Sequence, residues 1–292
     1  LHSLSCQLLK KQALKVDLYS QKLWFHKRFV QDNNQNHSFT KNKSEMKHKF
    51  TVKLSTFILG IMLIPFLGIS QTKNVISTHR VFPKMDKVAE FEKALATHAQ
   101  KYHTGDAHWR VFTIQSGPDY GGYHITEGPT SWAGEDARGD LGAEHMQDWN
   151  KNIAVHLTER ESGGYSVYQD SLSTVALGDF SDKINIAHIY PKVAQGDNVV
   201  KIIKKLKKTW EASGVTVAVY FASSSGPAQY TLVTRYKQGL KERAAGFRKP
   251  FKEVYESVNG EGSHAQYLKD VAEYINESWS ELLFLRKELS SK

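Results

Sequence analysis

The sequence predicts an α+β fold built from two tandem copies of a βαββαβ unit. Two short motifs each occur twice, at nearly the same spacing. Pro-Lys stands at 83–84 and at 191–192, 108 residues apart, and Ser-Gly-Pro stands at 116–118 and at 225–227, 109 residues apart. In addition, the same order of strand-like and helix-like patterns surrounds each motif. Self-similarity at a fixed spacing predicts an internal repeat.

The first repeat is predicted to cover 72–174. A strand ends at Pro-Lys, and a helix follows because apolar residues recur at helical spacing. A hairpin around Ser-Gly-Pro, a second helix and a closing strand complete the unit. The predicted elements are a strand over 75–82, a helix with Val88, Phe91, Leu95 and Tyr102 that ends at Gly105, hairpin strands over 109–115 and 123–127, a helix with Met146, Trp149, Ile153 and Leu157, and a strand over 165–169.

The second repeat is predicted to cover 182–292 with the same order of elements. Asp197 is expected to cap its first helix, and Gly214 is expected to end that helix. The predicted elements are a strand over 184–190, a helix with Val199, Ile202, Ile203, Leu206 and Trp210, hairpin strands over 215–222 and 230–236, a helix with His264, Tyr267, Val271 and Ile275, and a strand over 282–286.

The βαββαβ order is that of the ferredoxin-like split arrangement, in which helices cover one face of a four-stranded antiparallel sheet. The other face of such a sheet is left uncovered. Two tandem copies can place these uncovered faces against each other. We therefore expect the two sheets to pair into a barrel-like core within one chain.

In this topology, and in its duplicated Pro-Lys and Ser-Gly-Pro landmarks, the chain over 72–292 resembles the dimeric α+β barrel superfamily in a fused tandem form. That superfamily includes antibiotic-biosynthesis-monooxygenase-like and NIPSNAP-like proteins, and haem-using relatives. The resemblance implies a ligand cavity and raises monooxygenase-like or haem-handling activity as an alternative. It assigns no catalytic residue, because the sequence contains no catalytic motif of the family.

Residues 46–70 are predicted to be a secretory signal peptide. A basic start around Lys47 precedes an apolar run over 54–69, and Gly68 and Ser70 supply the small residues that signal peptidase accepts. The run is about 16 residues long, shorter than the roughly 20 that a membrane-spanning helix needs. We expect a secreted or periplasmic protein that meets the membrane only through this peptide. Residues 1–45 are expected to be a non-native upstream extension or a disordered leader.

The formal net charge of +9 belongs almost entirely to the first 70 residues. Residues 71–292 contain 28 Lys and Arg against 27 Asp and Glu. A nearly neutral chain offers no basic surface for a phosphate backbone, so we expect no nucleic-acid partner. The single cysteine, Cys6, lies in the same N-terminal part, so the mature chain has no disulfide and no cysteine metal ligand.

Histidines supply the candidates for catalysis. His79 and His188 are predicted to occupy equivalent positions on the first strands of the two repeats, where each either faces the cavity or is hydrogen-bonded within the core. We take His79 and His156 as the catalytic candidates. No metal site is predicted. The sequence has no HExxH motif, His98 and His103 are expected on different helix faces, and His145 and His156 are expected about 16 Å apart on one helix.

Aromatic residues near the first hairpin predict a pocket. The candidate ligand-binding residues are Trp109, Tyr123, His124, Trp149 and His188. The glycine-rich stretch over 128–142 is either a mobile lid or an irregular loop. The ligand class that suits such a pocket is a small apolar molecule. The cofactor is unknown, although haem would need only one histidine that faces the cavity. We expect a monomer or a homodimer.

These observations favour an exported protein that binds a small molecule or a partner. The alternative is an exported enzyme, monooxygenase-like or haem-handling, that uses the cavity of the first repeat. The absence of a catalytic motif favours the first interpretation.

Overall fold

The computed structural model describes residues 72–223 and 226–292. The predicted signal peptide and the segment before it lie outside these residues. The described residues belong to one compact unit. Among them, no helix combines the length and the apolar character that a membrane span requires.

Both repeats have the predicted order of elements. The first contains strands β1 (Val75–Pro83), β2 (Trp109–Ile114), β3 (Tyr123–Thr130) and β4 (Leu157–Tyr168), with helices α1 (Val88–Tyr102), α2 (Trp132–Arg138) and α3 (Ala143–Asp148). The second contains β5 (Lys183–Pro191), β6 (Val217–Ala222), β7 (Tyr230–Arg235) and β8 (Ile275–Leu285), with helices α4 (Gly196–Ser213), α5 (Phe251–Asn259) and α6 (Ser263–Tyr274).

The eight strands close into one antiparallel barrel in the order β1-β3-β2-β8-β5-β7-β6-β4. The predicted pairing of the two sheets within one chain is confirmed. The two repeats are joined by two short stretches of antiparallel strand pairing. Phe112–Ile114 of β2 pair with β8, and Ser166–Tyr168 of β4 pair with β6.

Residues of each strand alternate between the barrel interior and the helix layer. On β1, Val81 is fully buried in a cluster with Phe91 and Leu95 of α1. The second repeat has a corresponding cluster, in which Ile189 of β5 packs with Val199 of α4. Each such side chain contributes roughly 1.5–3 kcal/mol through burial. The interior-facing residues form separate clusters, one of which contains Phe112, Ile184 and Ile186.

Three local predictions are wrong. The second helix of the second repeat does not include Ile275, because α6 ends at Tyr274 and Ile275 begins β8. The helix predicted to reach Leu157 is not continuous, because α3 ends at Asp148, π-helical and 3₁₀ turns follow, and Leu157 begins β4. The first half of β4 is polar and exposed, so it lacks the apolar alternation that identifies a strand. Asp197 is not the cap of α4, since Gln195 holds that position. Gly214 ends α4 in a left-handed conformation, as predicted.

The carboxylate of Glu92 on α1 joins this helix to the residue that follows β8. It accepts hydrogen bonds from Arg286 Nη1 and Nη2 at 2.6 and 3.0 Å and from the Tyr123 hydroxyl at 2.5 Å. Burial alone would raise the pKa of Glu92. The hydrogen bonds and the charge of Arg286 outweigh burial, so the pKa lies below its ordinary value.

This depressed pKa predicts an acid-dependent loss of stability. In the unfolded chain Glu92 titrates near 4.5, so the stability that it contributes is present above that pH and is lost as the pH falls through the folded-state pKa. We expect Glu92→Gln to lower the free energy of unfolding by about 1–2 kcal/mol at pH 7. The difference from the parent should shrink toward pH 3. Urea unfolding between pH 3 and 7 measures it, and a pH-independent difference would contradict this account.

Candidate functional site

The barrel encloses a cavity of about 370 Å³ lined by side chains from all eight strands. One part of the wall is apolar, formed mainly by Ile76, Phe112, Ile184, Ile186 and Val233. The other part is polar, formed mainly by Thr78, Arg80, His124, Thr126, His188, Tyr220 and Thr231. An apolar wall with a few fixed polar groups is typical of small-molecule sites.

A buried ionic network crosses the polar part of the interior. Glu281 of β8, with no exposed side-chain surface, accepts two hydrogen bonds from the guanidinium of Arg80, one of them at 3.0 Å. It also accepts a hydrogen bond from His188 Nε2 at 2.8 Å. Arg80 donates to Asp119 at 2.5 Å, and Gln229 donates to His188 Nδ1 at 2.5 Å. Every polar group of this network therefore has a fixed orientation.

The register corrects the predicted equivalence of His79 and His188. Val81 pairs with Tyr123 and Ile189 pairs with Tyr230, so residues that precede Val81 and Ile189 by one correspond. The counterpart of His188 is thus Arg80. Both face the barrel interior, whereas His79 lies on the other side of β1.

Among the described histidines that line the interior, His124 is the one whose ring retains an unused nitrogen. The residue is 7% exposed, and its buried Nδ1 has no hydrogen-bond partner among the described residues. Burial, reinforced by the nearby Arg80 and His188, holds the pKa of His124 well below its ordinary value. The ring is therefore neutral. A buried polar atom without a partner costs roughly 1–3 kcal/mol, which favours a ligand that satisfies it.

Strand β4 contains two consecutive glycines, Gly163 and Gly164, so the barrel has no side chain at these two positions. Gly164 pairs with Thr78, and the corresponding pair in the second repeat is Glu281 with Ile186. The first repeat thus lacks a side chain where the second carries the central carboxylate. Gly163 faces the other side, beside His79. The two repeats therefore contribute unequally to the cavity.

A second pocket, of about 270 Å³, borders on the glycine pair from outside the barrel. It is lined by His79, Trp109, Glu127, Arg138 and Tyr165, among others. The glycine-rich stretch after β3 is ordered here into α2, whose N-terminus is capped by the Ser131 hydroxyl. The last residue of α2, Arg138, forms an ion pair with Glu127 at 2.5 Å.

Three histidines converge close to this outer pocket. His98 lies on α1, His103 directly follows α1, and His145 lies on α3. Their Nε2 atoms face one another, at 3.4 Å between His98 and His103 and at 3.3 Å between His103 and His145. The Nδ1 atoms of His98 and His103 lie 2.7 Å from Asp148 and 3.0 Å from Glu127, respectively.

This arrangement overturns the expectation that His98 and His103 lie on separate faces of a helix. The helix ends at Tyr102, and His103 adopts a non-helical conformation that turns its ring back. Burial lowers the pKa of both rings, that of His103 to about 4, although their carboxylate partners act in the opposite direction. The lowered pKa favours the neutral form of both imidazoles.

The structure separates the candidate site residues rather than gathering them. His124 and His188 line the barrel interior, whereas His79 and Trp109 line the outer pocket. Tyr123 binds Glu92 in the helix layer, and Trp149 stacks on His79 with 5.8 Å between ring centroids. His156 lies in the 3₁₀ turn before β4 and lines neither cavity.

Sequence analysis did not single out Arg80, Glu281 or Arg235, although all three are buried and charged. The available indication was a charged residue on a strand face that otherwise carries apolar residues. Glu281 stands between Trp279 and Leu283 at strand spacing, and such a position is normally occupied by an apolar residue.

Haem does not fit the interior. An axial imidazole must offer one free nitrogen to the iron, and both nitrogens of His188 are engaged, by Glu281 and by Gln229. His124 has a free Nδ1, but the salt-bridged Arg80 lies directly opposite it in the register and is also directed inward.

No family model matches the chain, and no curated protein matches its sequence. Solved structures of similar shape do exist. An anthrone oxidase-like protein is 11% identical over 74% of this chain and 92% of its own, with a TM-score of 0.49. A proposed monooxygenase from Lactobacillus acidophilus NCFM is 10% identical over 72% and 93% of the two chains, with a TM-score of 0.43.

A third structure comes from Listeria monocytogenes 4b F2365 and is described as an uncharacterized ferredoxin fold protein related to antibiotic biosynthesis monooxygenases. It is 6% identical over 73% of this chain and 95% of its own, with a TM-score of 0.36. Likeness at this level assigns no activity, because unrelated functions share such folds. The function of this chain has to be inferred from its own residues.

Proposed function

We propose that this chain is an exported protein that binds a small molecule inside its barrel. The ligand has an apolar body, matched by Phe112 and Ile186, and at least one polar atom that bonds to His124. The observation that supports this most directly is the buried Nδ1 of His124, which lines the cavity and has no partner among the described residues. The pattern of residues 46–70 supports export.

The charges around the cavity narrow the ligand class. Arg80 is neutralised by Glu281 and Asp119, and both ring nitrogens of His188 are engaged, by Glu281 and by Gln229. This network therefore supplies no uncompensated charge to attract a strongly ionic ligand. The other buried cation of the wall, Arg235, is engaged by backbone carbonyls and by the Tyr220 hydroxyl. A compact molecule with one or two polar oxygens on a ring or chain matches the wall best.

Substituting His124 by leucine should have two opposite effects. The unliganded protein should gain about 1 kcal/mol of stability, because an unsatisfied buried nitrogen is removed. Binding of the uncharged aromatic probe 2-naphthol should weaken about tenfold, because the ligand loses a hydrogen bond. Thermal unfolding and fluorescence titration measure the two effects.

His79→Leu is the matched control, because His79 lies on the neighbouring strand but faces the outer pocket. Weaker probe binding in His79→Leu with unchanged binding in His124→Leu would move the site to the outer pocket and contradict the proposal. Unchanged binding in both variants would contradict any role of these histidines.

The same cavity would serve the alternative function, a monooxygenase-like enzyme. Native mass spectrometry of the protein from its host separates the two. A compound that is bound and released unchanged supports binding, whereas conversion of that compound to an oxygenated product in air requires an enzyme. A mass that starts at Gln71 would support export, and a chain retaining residues 46–70 would contradict it.

A further inference from the structure

The three convergent histidines form a cluster distinct from the barrel cavity, on the helix-covered face of the first sheet. His98 and His103 are fully buried, and His145 is partly exposed. Their three ligand atoms lie within 4.8 Å of one another. The cluster thus has two fixed inner members and one member at the surface, from which a small ion can enter.

The carboxylates fix which nitrogen of each buried ring carries a proton. A carboxylate only accepts hydrogen bonds, so the Nδ1 of His98 donates to Asp148 and the Nδ1 of His103 donates to Glu127. Each neutral ring then presents a lone pair on Nε2. These two lone pairs face each other across 3.4 Å. Two acceptors in contact repel each other unless a cation lies between them.

The His98–His103 and His103–His145 distances match a tetrahedral metal site, and the three ligand atoms together lie within 4.8 Å of one another. Zinc binds imidazole nitrogen at about 2.0–2.1 Å, so two ligand atoms of a tetrahedral site lie about 3.3 Å apart. The separations between Nε2 atoms here are 3.4 and 3.3 Å. A site with three histidines leaves the fourth position of the tetrahedron for water or another ligand.

The groups behind the ligands are also held in place. Glu127 accepts a hydrogen bond from Trp109 Nε1 at 2.6 Å, and Trp109 stacks on His103 with 3.5 Å between ring centroids. Asp148 accepts a hydrogen bond from Asn152 at 2.8 Å. Carboxylates that orient metal-bound histidines in this way are typical of zinc sites.

From this geometry we propose that His98, His103 and His145 bind one Zn²⁺ ion through their Nε2 atoms. Imidazole ligands without thiolates suit zinc and its divalent neighbours rather than soft monovalent ions. The site is independent of the proposed barrel ligand, since its residues lie on the opposite face of the sheet.

Zinc binding to the full chain, without an affinity tag, tests the proposal. The chain is first treated with a chelator and then dialysed against Zn²⁺ alone, and bound zinc is counted by elemental analysis. His145→Ala should lose one equivalent of zinc per chain relative to the parent. This variant is chosen because His145 is partly exposed and has no carboxylate partner among the described residues, so the fold should survive. His264→Ala, in the second repeat, is the control and should lose none.

A second variant tests whether the loss of zinc in His145→Ala reflects a missing ligand and not a damaged fold. Asp148→Asn removes the charge behind His98 without removing a ligand, and should weaken zinc binding 10–100-fold while leaving the stoichiometry at saturation unchanged. Co²⁺ bound to the parent should show the visible absorption of a tetrahedral site, and His145→Ala should abolish it. The proposal is overturned if His145→Ala keeps the equivalent of zinc, or if the parent binds no more zinc than this variant.

Discussion

Replacing Glu281 with leucine is expected to lower the free energy of unfolding by about 3–5 kcal/mol, because it leaves Arg80 buried without its main counter-ion. Glu281 has no exposed side-chain surface, and Arg80 is 9% exposed. Asp119 still neutralises part of the Arg80 charge, but His188 also loses the acceptor for its Nε2 proton. Urea unfolding measures the loss.

The exposed Glu277 on the same strand provides the control, and Glu277→Leu should change stability by less than about 0.5 kcal/mol. The double variant Arg80→Met, Glu281→Leu should recover much of the loss, because an apolar pair replaces a buried ion pair at little cost. A double variant as unstable as Glu281→Leu alone would show that the carboxylate acts through His188 and not through Arg80.

The two repeats share one fold but carry different side chains at the corresponding positions of this network. Glu281 and Gly164 occupy corresponding positions on β8 and β4, and Arg80 corresponds to His188. One carboxylate from the second repeat thus serves a cation from the first repeat and a histidine from its own. The barrel interior is a single site made by both halves, so neither repeat alone contains it.

The repeats and the barrel could be predicted because they depend on local patterns. Pro83 and Pro191 end the first strands, and the alternation of apolar residues predicts both faces of each sheet. The register of the strands was harder to predict, because a shift of one residue exchanges the two faces of a strand. Matching His79 to His188 made that error, and counting back from the two prolines would have matched Arg80 to His188.

The histidine cluster could not be predicted from spacing. His98 and His103 meet only because α1 ends between them, and His145 joins them from a helix more than 40 residues away. The carboxylates behind them, Asp148 and Glu127, come from α3 and β3. The HExxH motif places both histidine ligands on one regular helix. The present arrangement depends instead on a helix terminus and on tertiary packing.

Arg235 should be the second position of large effect, for a different reason. It is 2% exposed and donates hydrogen bonds to the backbone carbonyls of Ala176, Leu177 and Asp179, and to the Tyr220 hydroxyl at 3.0 Å. These carbonyls belong to the segment between β4 and β5 that connects the two repeats. One buried guanidinium thus fastens the connector to the barrel.

Arg235→Met is therefore expected to lower the free energy of unfolding by about 3 kcal/mol or more, since it leaves several carbonyls without a charged donor. No second substitution should restore this stability, as Arg80→Met does for Glu281→Leu, because the acceptors of Arg235 are mainly backbone carbonyls, which every residue has. Arg235→Lys should recover little, as one ammonium cannot reach the same four acceptors. Lys237→Met, which removes an exposed ion pair with Asp179, should cost at most about 1 kcal/mol. Urea unfolding and hydrogen exchange over 175–180 measure these effects, and equal losses in Arg235→Met and Lys237→Met would contradict the role assigned to Arg235.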